Sequence, residues 1–556
     1  MIITPQILWE GCDPNAYPLK PSIVSTMETV DYFCYSLYFD GLKTTYNAVA
    51  RIFAKLYTPK SDRFFKSASN DKFTNDFGLI KNLTNNAIVV FNDINKSVDS
   101  FKPNIYIDEG FCVLVVDYAG FDDKKSRFTI YPKNLKQANY HLNQKAVLDM
   151  DIDPKDSSWY IWQTVALRAV ACLRRLNFKS VFMIGIGHGL EMVFKSSYFI
   201  NNIDGGATIL SGGVAKSSNV QYLAALDATA YAQYSKCPIL MQVASNENNS
   251  SLDGINSLFE TLDTYGEARF LIKENSIACI DYTAPLRWFK AILNGDTFYS
   301  SPILKARASQ NKLYFNVEVS SCNNISKISL NVAHGEEFSA FRSWRQEPLQ
   351  SLGEGEYLTS VDILDCEKPI FAFVNVKYEC GSEFSSNILT VLPKNLDISL
   401  PPAAKKRLIY DTDMGLRVFD TGKSVICNCY EDNCDAASLS IQVGALGLDG
   451  LSSDTNSLST FRLCDNQYTG NSGDSLQLMI QALEPISITF SILSKKYNTH
   501  FEYIKEFDGS ESWIKTSLIL NDFKSKNGDS LNSWQDVLTF YIKASGKFLL
   551  NSTLWV

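Results

Sequence analysis

The chain has 556 residues, of which 45% are hydrophobic, 20% charged and 12% aromatic. That length suggests about three domains, each able to bury a full core, and the balance excludes wholesale disorder, a collagen-like repeat and a coiled coil. A formal net charge of −8 argues against nucleic acid as a partner.

Residues 1–300 alternate strand-like and helix-like patterns. Residues 32–39 and 49–57 read as an antiparallel start to a sheet. Residues 87–91 (Ala-Ile-Val-Val-Phe), 111–116, 181–186 and 238–243 are continuous apolar runs. Parallel strands covered by helices on both faces look like this. Over residues 159–176, Trp162, Val165, Ala166, Ala169, Val170 and Leu173 recur at helical spacing. Arg168, Arg174 and Arg175 fall on the expected exposed side and in the last turn. Residues 191–199, 252–262 and 286–293 read as further helices. The alternation predicts an α/β sheet with right-handed crossovers.

Residues 301–395 change to short strands, at 312–319, 325–332, 357–363 and 370–378, and predict a small β-sandwich. Pro401 and Pro402 open a linker. Residues 396–556 predict a second β-sandwich, with strands at 475–481, 486–492, 517–520, 537–542 and 547–550. The 13 cysteines are odd in number and widely spread, which favours reduced thiols and a cytoplasmic location. The first residues lack the charged region of a secretory leader. The apolar runs are too short to cross a bilayer, so a membrane is not expected as a partner. Cys427, Cys429, Cys434 and Cys464 lack a C-x₂-C pair, and the spacing predicts core thiols in place of a metal site. Nothing calls for a cofactor.

The informative segment is Gly185-Ile186-Gly187-His188-Gly189, where a buried strand meets a glycine-rich turn and then a helix. It has the frame of a nucleophile elbow, in which flanking glycines permit a strained turn that lifts the middle residue into the site. Here the middle residue is Gly187, so the hydroxyl nucleophile is missing.

With this elbow the chain resembles the α/β-hydrolases of the acetyl xylan esterase and dienelactone hydrolase type. Residues 109–120, Phe128-Thr129-Ile130-Tyr131-Pro132 and residues 157–162 resemble further segments of that group. The resemblance spans residues 30–298 and implies an α/β-hydrolase fold and carbohydrate ester hydrolysis. Carried over residue by residue, the nucleophile position is Gly187. The acid position follows the run 238–243, where Glu247 keeps a carboxylate. The base position falls at Ala278 and Cys279, and no histidine lies between His188 and His334. A Ser-His-Asp mechanism needs nucleophile, base and orienting acid in contact, and two of the three are absent. The oxyanion-hole strand ends in Asn92-Asp93 where the group carries His-Gly, which leaves the backbone N–H of His188 as an oxyanion donor.

These residues define the candidate site. His188 reads either as a general base with Glu247 or Asp93, or as a helix-start histidine satisfied by its neighbours. Ser211 ends a strand at the same rim, and Cys279 reads as a reactive or an inert buried thiol. Residues 522–537 and 550–556 resemble β-sandwich carbohydrate-binding modules. Of the tryptophans there, Trp534 and Trp555 are expected in the core, and Trp513 stands between core residue and sugar platform. The leading expectation is a catalytically degenerate esterase-like protein that binds a carbohydrate or acylated ligand. The alternatives are an active carboxylic-ester or carbohydrate esterase with a non-triad residue set, and a non-enzymatic scaffold or interaction protein that forms oligomers.

Overall fold

Turn residues cut the apolar runs of the first 300 residues into strands, and the structure, a computed structural model, pairs them into one sheet. It describes the chain except residues 1, 45–46, 61–79, 81–82, 121–126, 143–152, 200–201, 210–218, 248–250, 266, 277–280, 297–299, 321–324, 337, 397–403, 417, 420–438 and 497–498. The strands are β1 (Ser22–Glu28), β2 (Tyr32–Lys43), β3 (Val49–Pro59), β4 (Asn86–Phe91), β5 (Cys112–Asp117), β6 (Ser180–Ile186), β7 (Gly205–Ile209), β8 (Ile239–Ala244) and β9 (Ala268–Lys273). Their order in the sheet is β1-β2-β3-β5-β4-β6-β7-β8-β9. β1, β2 and β3 run antiparallel, β3 meets β5 antiparallel, and β5 to β9 are parallel. The antiparallel start and the parallel run follow the sequence pattern.

Helices cover both faces, as continuous apolar strands require. They are α1 (Pro5–Leu8), α2 (Asn104–Ile107), α3 (Ser158–Arg175), α4 (Leu190–Ser197), α5 (Val220–Ala225), α6 (Ala228–Ala232), α7 (Leu252–Tyr265) and α8 (Thr283–Asn294). Alternate residues of β4 serve opposite sides. Ala87, Val89 and Phe91 join the core under α3, α4 and α7, while Ile88 and Val90 join the core under α2 and α8. The Ser157 hydroxyl caps α3 by accepting from Trp159 N–H (3.1 Å).

One expectation on α3 is corrected. Arg168 is 1% exposed. Its guanidinium donates to the carbonyls of Asp40 (2.9 Å), Pro14 (2.7 Å), Tyr17 (3.0 Å) and Pro18 (3.0 Å). The chain near residues 14–18 lies across the helix face that the polar residue marked as solvent, and its carbonyls replace water.

Beyond residue 300 the sheet does not stop. Ser385, on the strand Glu383–Ser385, pairs antiparallel with Phe270 of β9. The strands Ile370–Tyr378, Ile325–His334 and Arg345–Glu347 follow in order, and Leu389–Val391, which also pairs with Ile370–Tyr378, completes a 14-stranded sheet. Ile303–Ser309, Lys312–Glu318, Glu356–Asp362 and Gln350–Gly353 form a separate four-stranded sheet. One apolar cluster contains Phe289 of α8, Phe315 and Val374 together, so the first two parts share a core. The last part has a six-stranded and a four-stranded sheet. Leu478 and Leu550 of the first and Phe490 and Phe540 of the second sit in one cluster of their own. Trp534 and Trp555 belong to it, ring centroids 4.8 Å apart, in the core position expected of them. Among the described residues no helix is long and apolar enough to cross a membrane.

Candidate functional site

In an open α/β sheet, a crevice forms at the carboxyl ends of the strands where the chain reverses its direction of progress. Here that point lies between β4 and β6, because β5 follows β4 on one side and β6 lies on the other. Asp93 comes off the end of β4, and Gly187 and His188 off the end of β6. The two strands pair in parallel through Phe91 and Gly185.

The turn after β6 is too tight for side chains. A Cβ on Gly185 would lie 2.4 Å from the carbonyl oxygen of Gly189, and one on Gly189 would lie 2.2 Å from that of Phe91. Gly187 has φ +55°, in the left-handed region that favours glycine. A Cβ there would come within 2.6 Å of the Asp93 carboxylate. Asp93 therefore fills the space that a side chain at position 187 would use.

The pair sought in the sequence forms, with Asp93 as the acid. His188 Nδ1 lies 2.7 Å from Asp93 Oδ1, and the His188 backbone N–H donates to the same oxygen at 3.0 Å. Ile94 N–H adds a third bond at 2.9 Å. Burial pushes the Asp93 carboxyl up, but the bonds and charge of His188 outweigh it and hold the group below its ordinary value. This corrects one expectation: the His188 N–H is not left for an oxyanion, because a carboxylate already holds it.

Behind the pair lies a buried polar group that the sequence reading passed over. The Trp159 ring stacks on His188 with centroids 6.4 Å apart and an angle of 26°. The Lys195 ammonium sits 4.8 Å from the centroid of the same indole and 3.0 Å from Glu191 Oε2. Glu191 and Lys195 are both buried. Burial pushes the Glu191 carboxyl up to about 7, against the pull of Lys195 and with Asp227 adding to the rise. The i,i+4 acid–base spacing on α4 was the available signal, but nothing in it marks the pair as buried.

Glu247 is buried past the end of β8. Ser211 and Cys279 lie outside the described residues, as do Cys427, Cys429 and Cys434. Cys464 is buried, its thiol donating to the carbonyl of Phe341, and burial pushes it up to about 12. Among the described residues no group of three or more His, Cys, Asp or Glu side chains is placed to hold a metal. Trp513 is half-buried. Its indole N–H donates to the carbonyl of Ala445 (2.9 Å), and its ring packs where side chains on Gly444 and Gly450 would otherwise stand.

No family model matches the chain, and no curated protein matches it. Solved structures resemble it over about half its length. An acetyl xylan esterase from a Paenibacillus species aligns at 11% identity over 50% of this chain and 90% of its own, with a TM-score of 0.36. Acetyl xylan esterase 1 from a Thermoanaerobacterium species aligns at 13% identity over 50% and 89%, with a TM-score of 0.32. A putative dienelactone hydrolase from Klebsiella pneumoniae aligns at 10% identity over 44% and 92%, with a TM-score of 0.28.

Proposed function

We propose that the chain is an esterase-like α/β-hydrolase relative that has lost acyl transfer, and that its rim binds a carbohydrate or acylated ligand. One observation carries this reading: the Asp93 carboxylate stands in both places that the reaction needs clear. It occupies the room of a side chain at position 187, and it holds the His188 N–H. A carboxylate in an oxyanion hole repels the charge that the hole exists to stabilise. Glycine at 187 adds no hydroxyl to attack a carbonyl. In this reading the second part is a β-sandwich built onto the first, and the last part is a β-sandwich akin to a carbohydrate-binding module. Trp513 is its offered aromatic face, held still by the bond to Ala445.

The test is hydrolysis of p-nitrophenyl acetate and of acetylated xylan by wild type, His188→Gln and Asp93→Asn. The expected result is no turnover by wild type above that of either variant. Turnover that falls at least about 100-fold in His188→Gln would overturn the reading. It would establish a second one, favoured by the 2.7 Å bond between His188 Nδ1 and Asp93. That bond orients an imidazole as a general base and leaves Nε2 for a water molecule, so the protein would hydrolyse esters without a covalent intermediate.

A further inference from the structure

Three strands along from β6, beside the turn that follows β9, a cavity of about 280 Å³ opens where the second and last parts meet. At about 4.8 Å per strand it lies on the order of 14 Å from the rim of β4 and β6. Its wall includes Lys273, Trp344, Arg345, Phe419, Phe461 and Arg462. The size sits near the lower end of small-molecule pockets.

Among the described residues, neither guanidinium group has a carboxylate within hydrogen-bond distance. Arg462 donates to the Tyr468 hydroxyl (2.6 Å) and to the thioether of Met414 (3.4 Å), a weak acceptor. Its buried Nε makes no hydrogen bond among the described residues. Arg345 Nε is 3.8 Å from Asp465 Oδ2, too far for a hydrogen bond, and both atoms are buried and unbonded. The remaining described bond of Arg345 goes to the neutral side chain of Gln467 (3.2 Å). Trp344 is 2% exposed, and its indole N–H has no acceptor among the described residues. Glu274, the acid on this wall, accepts from Gln346 (3.0 Å) and Asn375 (3.4 Å). Among the described residues of this wall, Lys273, Arg345 and Arg462 stand against one acid, Glu274, in a chain whose formal net charge is −8.

Tyr468 reports the local field. Arg462, Lys406 and Arg345 lie 4.1, 5.7 and 6.0 Å from its ring centroid. Burial pushes its phenol up, yet Arg462, Arg345 and Lys406 outweigh burial and bring it below its ordinary value. Asp465 balances part of this charge at 3.8 Å, but a guanidinium whose carboxylate neighbour is beyond hydrogen-bond distance keeps N–H donors that a second anion can take. Its planar fork suits carboxylate and phosphate oxygens.

We propose that this junction cavity binds an anionic sugar, a sugar acid or a sugar phosphate, whose oxyanion is held by Arg345 and Arg462 and whose ring rests against Phe419 and Phe461. The site is separate from the Asp93–His188 rim and does not depend on what that rim does.

Isothermal titration calorimetry of the full chain with D-glucuronate, glucose 6-phosphate and glucose, at constant ionic strength, tests it. Expected are saturable binding of at least one of the two anions, none of glucose, and at least about tenfold weaker binding in Arg462→Gln. Binding of the carboxylate alone or the phosphate alone supports the proposal and identifies the anion. Arg462→Lys keeps the charge and loses the fork, and is expected to bind between wild type and Arg462→Gln. Thermal melting shows whether each variant folds, and Arg345→Gln serves the same comparison if Arg462→Gln does not. No saturable binding by wild type, equal binding in a folded glutamine variant, or glucose bound as well as the anions would overturn the proposal.

Discussion

Asp93 Oδ1 accepts from three donors, two of them on His188. A carboxyl held below its ordinary value adds stability that is present above the unfolded-state value and lost as pH falls through the folded one. Asp93→Asn is expected to cost about 1–3 kcal/mol at pH 7. It should also reduce the loss of stability on going from pH 5 to pH 2, both read by urea unfolding. Gly187 carries the other half of the arrangement. Gly187→Ala meets a positive φ and the Asp93 carboxylate together, and is expected to cost about 2 kcal/mol or more. Asp93→Ala frees the space, so the double variant should lose less stability than the two single losses added, a coupling that a double-mutant cycle measures. The glycine frame was legible because only glycine fits such a turn. The partner of His188 was not, since Asp93 lies 95 residues away and the sequence left Glu247 equally eligible.

On α4, Glu191 and Lys195 form a buried i,i+4 pair whose ammonium also faces the Trp159 ring. Burial raises the Glu191 carboxyl from its usual 4.5 to about 7. Between those values the folded state holds more protons than the unfolded one, so stability falls as pH rises through the window. The change amounts to about 3 kcal/mol. Glu191→Gln is expected to flatten this slope, as measured by urea unfolding from pH 4 to pH 8. On α3, Arg168→Leu strips donors from four carbonyls and is expected to cost about 3 kcal/mol, visible as a lower melting temperature. Helical periodicity found both elements, because a 3.6-residue repeat of apolar side chains is local information. It misplaced Arg168 because the segment that crosses α3 arrives from near residues 14–18, and no pattern within the helix records it.

The parts of the molecule do not divide evenly. The first two share a sheet and an apolar cluster, whereas the cluster of the last part contains residues of that part alone. Differential scanning calorimetry is therefore expected to show residues 1–395 unfolding in one transition and the last part in another. The strands Lys312–Glu318, Ile325–His334, Glu356–Asp362 and Ile370–Tyr378 of the second part were legible as short runs between turn residues. Their continuity with β9 was not, because it rests on a single pair, Phe270 with Ser385. That pair has a consequence for how the protein keeps to itself. A parallel sheet ending at β9 would present a row of unsatisfied amides and carbonyls, a template on which another chain can grow. The Ser385 pairing, with its hydroxyl accepting from Ile272 N–H (2.8 Å) and Asn375 donating to the Ile272 carbonyl (3.1 Å), closes that row from within. Proteolytic nicking between α8 and the strand Ile303–Ser309 would leave the closure held by non-covalent contacts alone, and losing the second part would turn a sealed margin into a self-templating one.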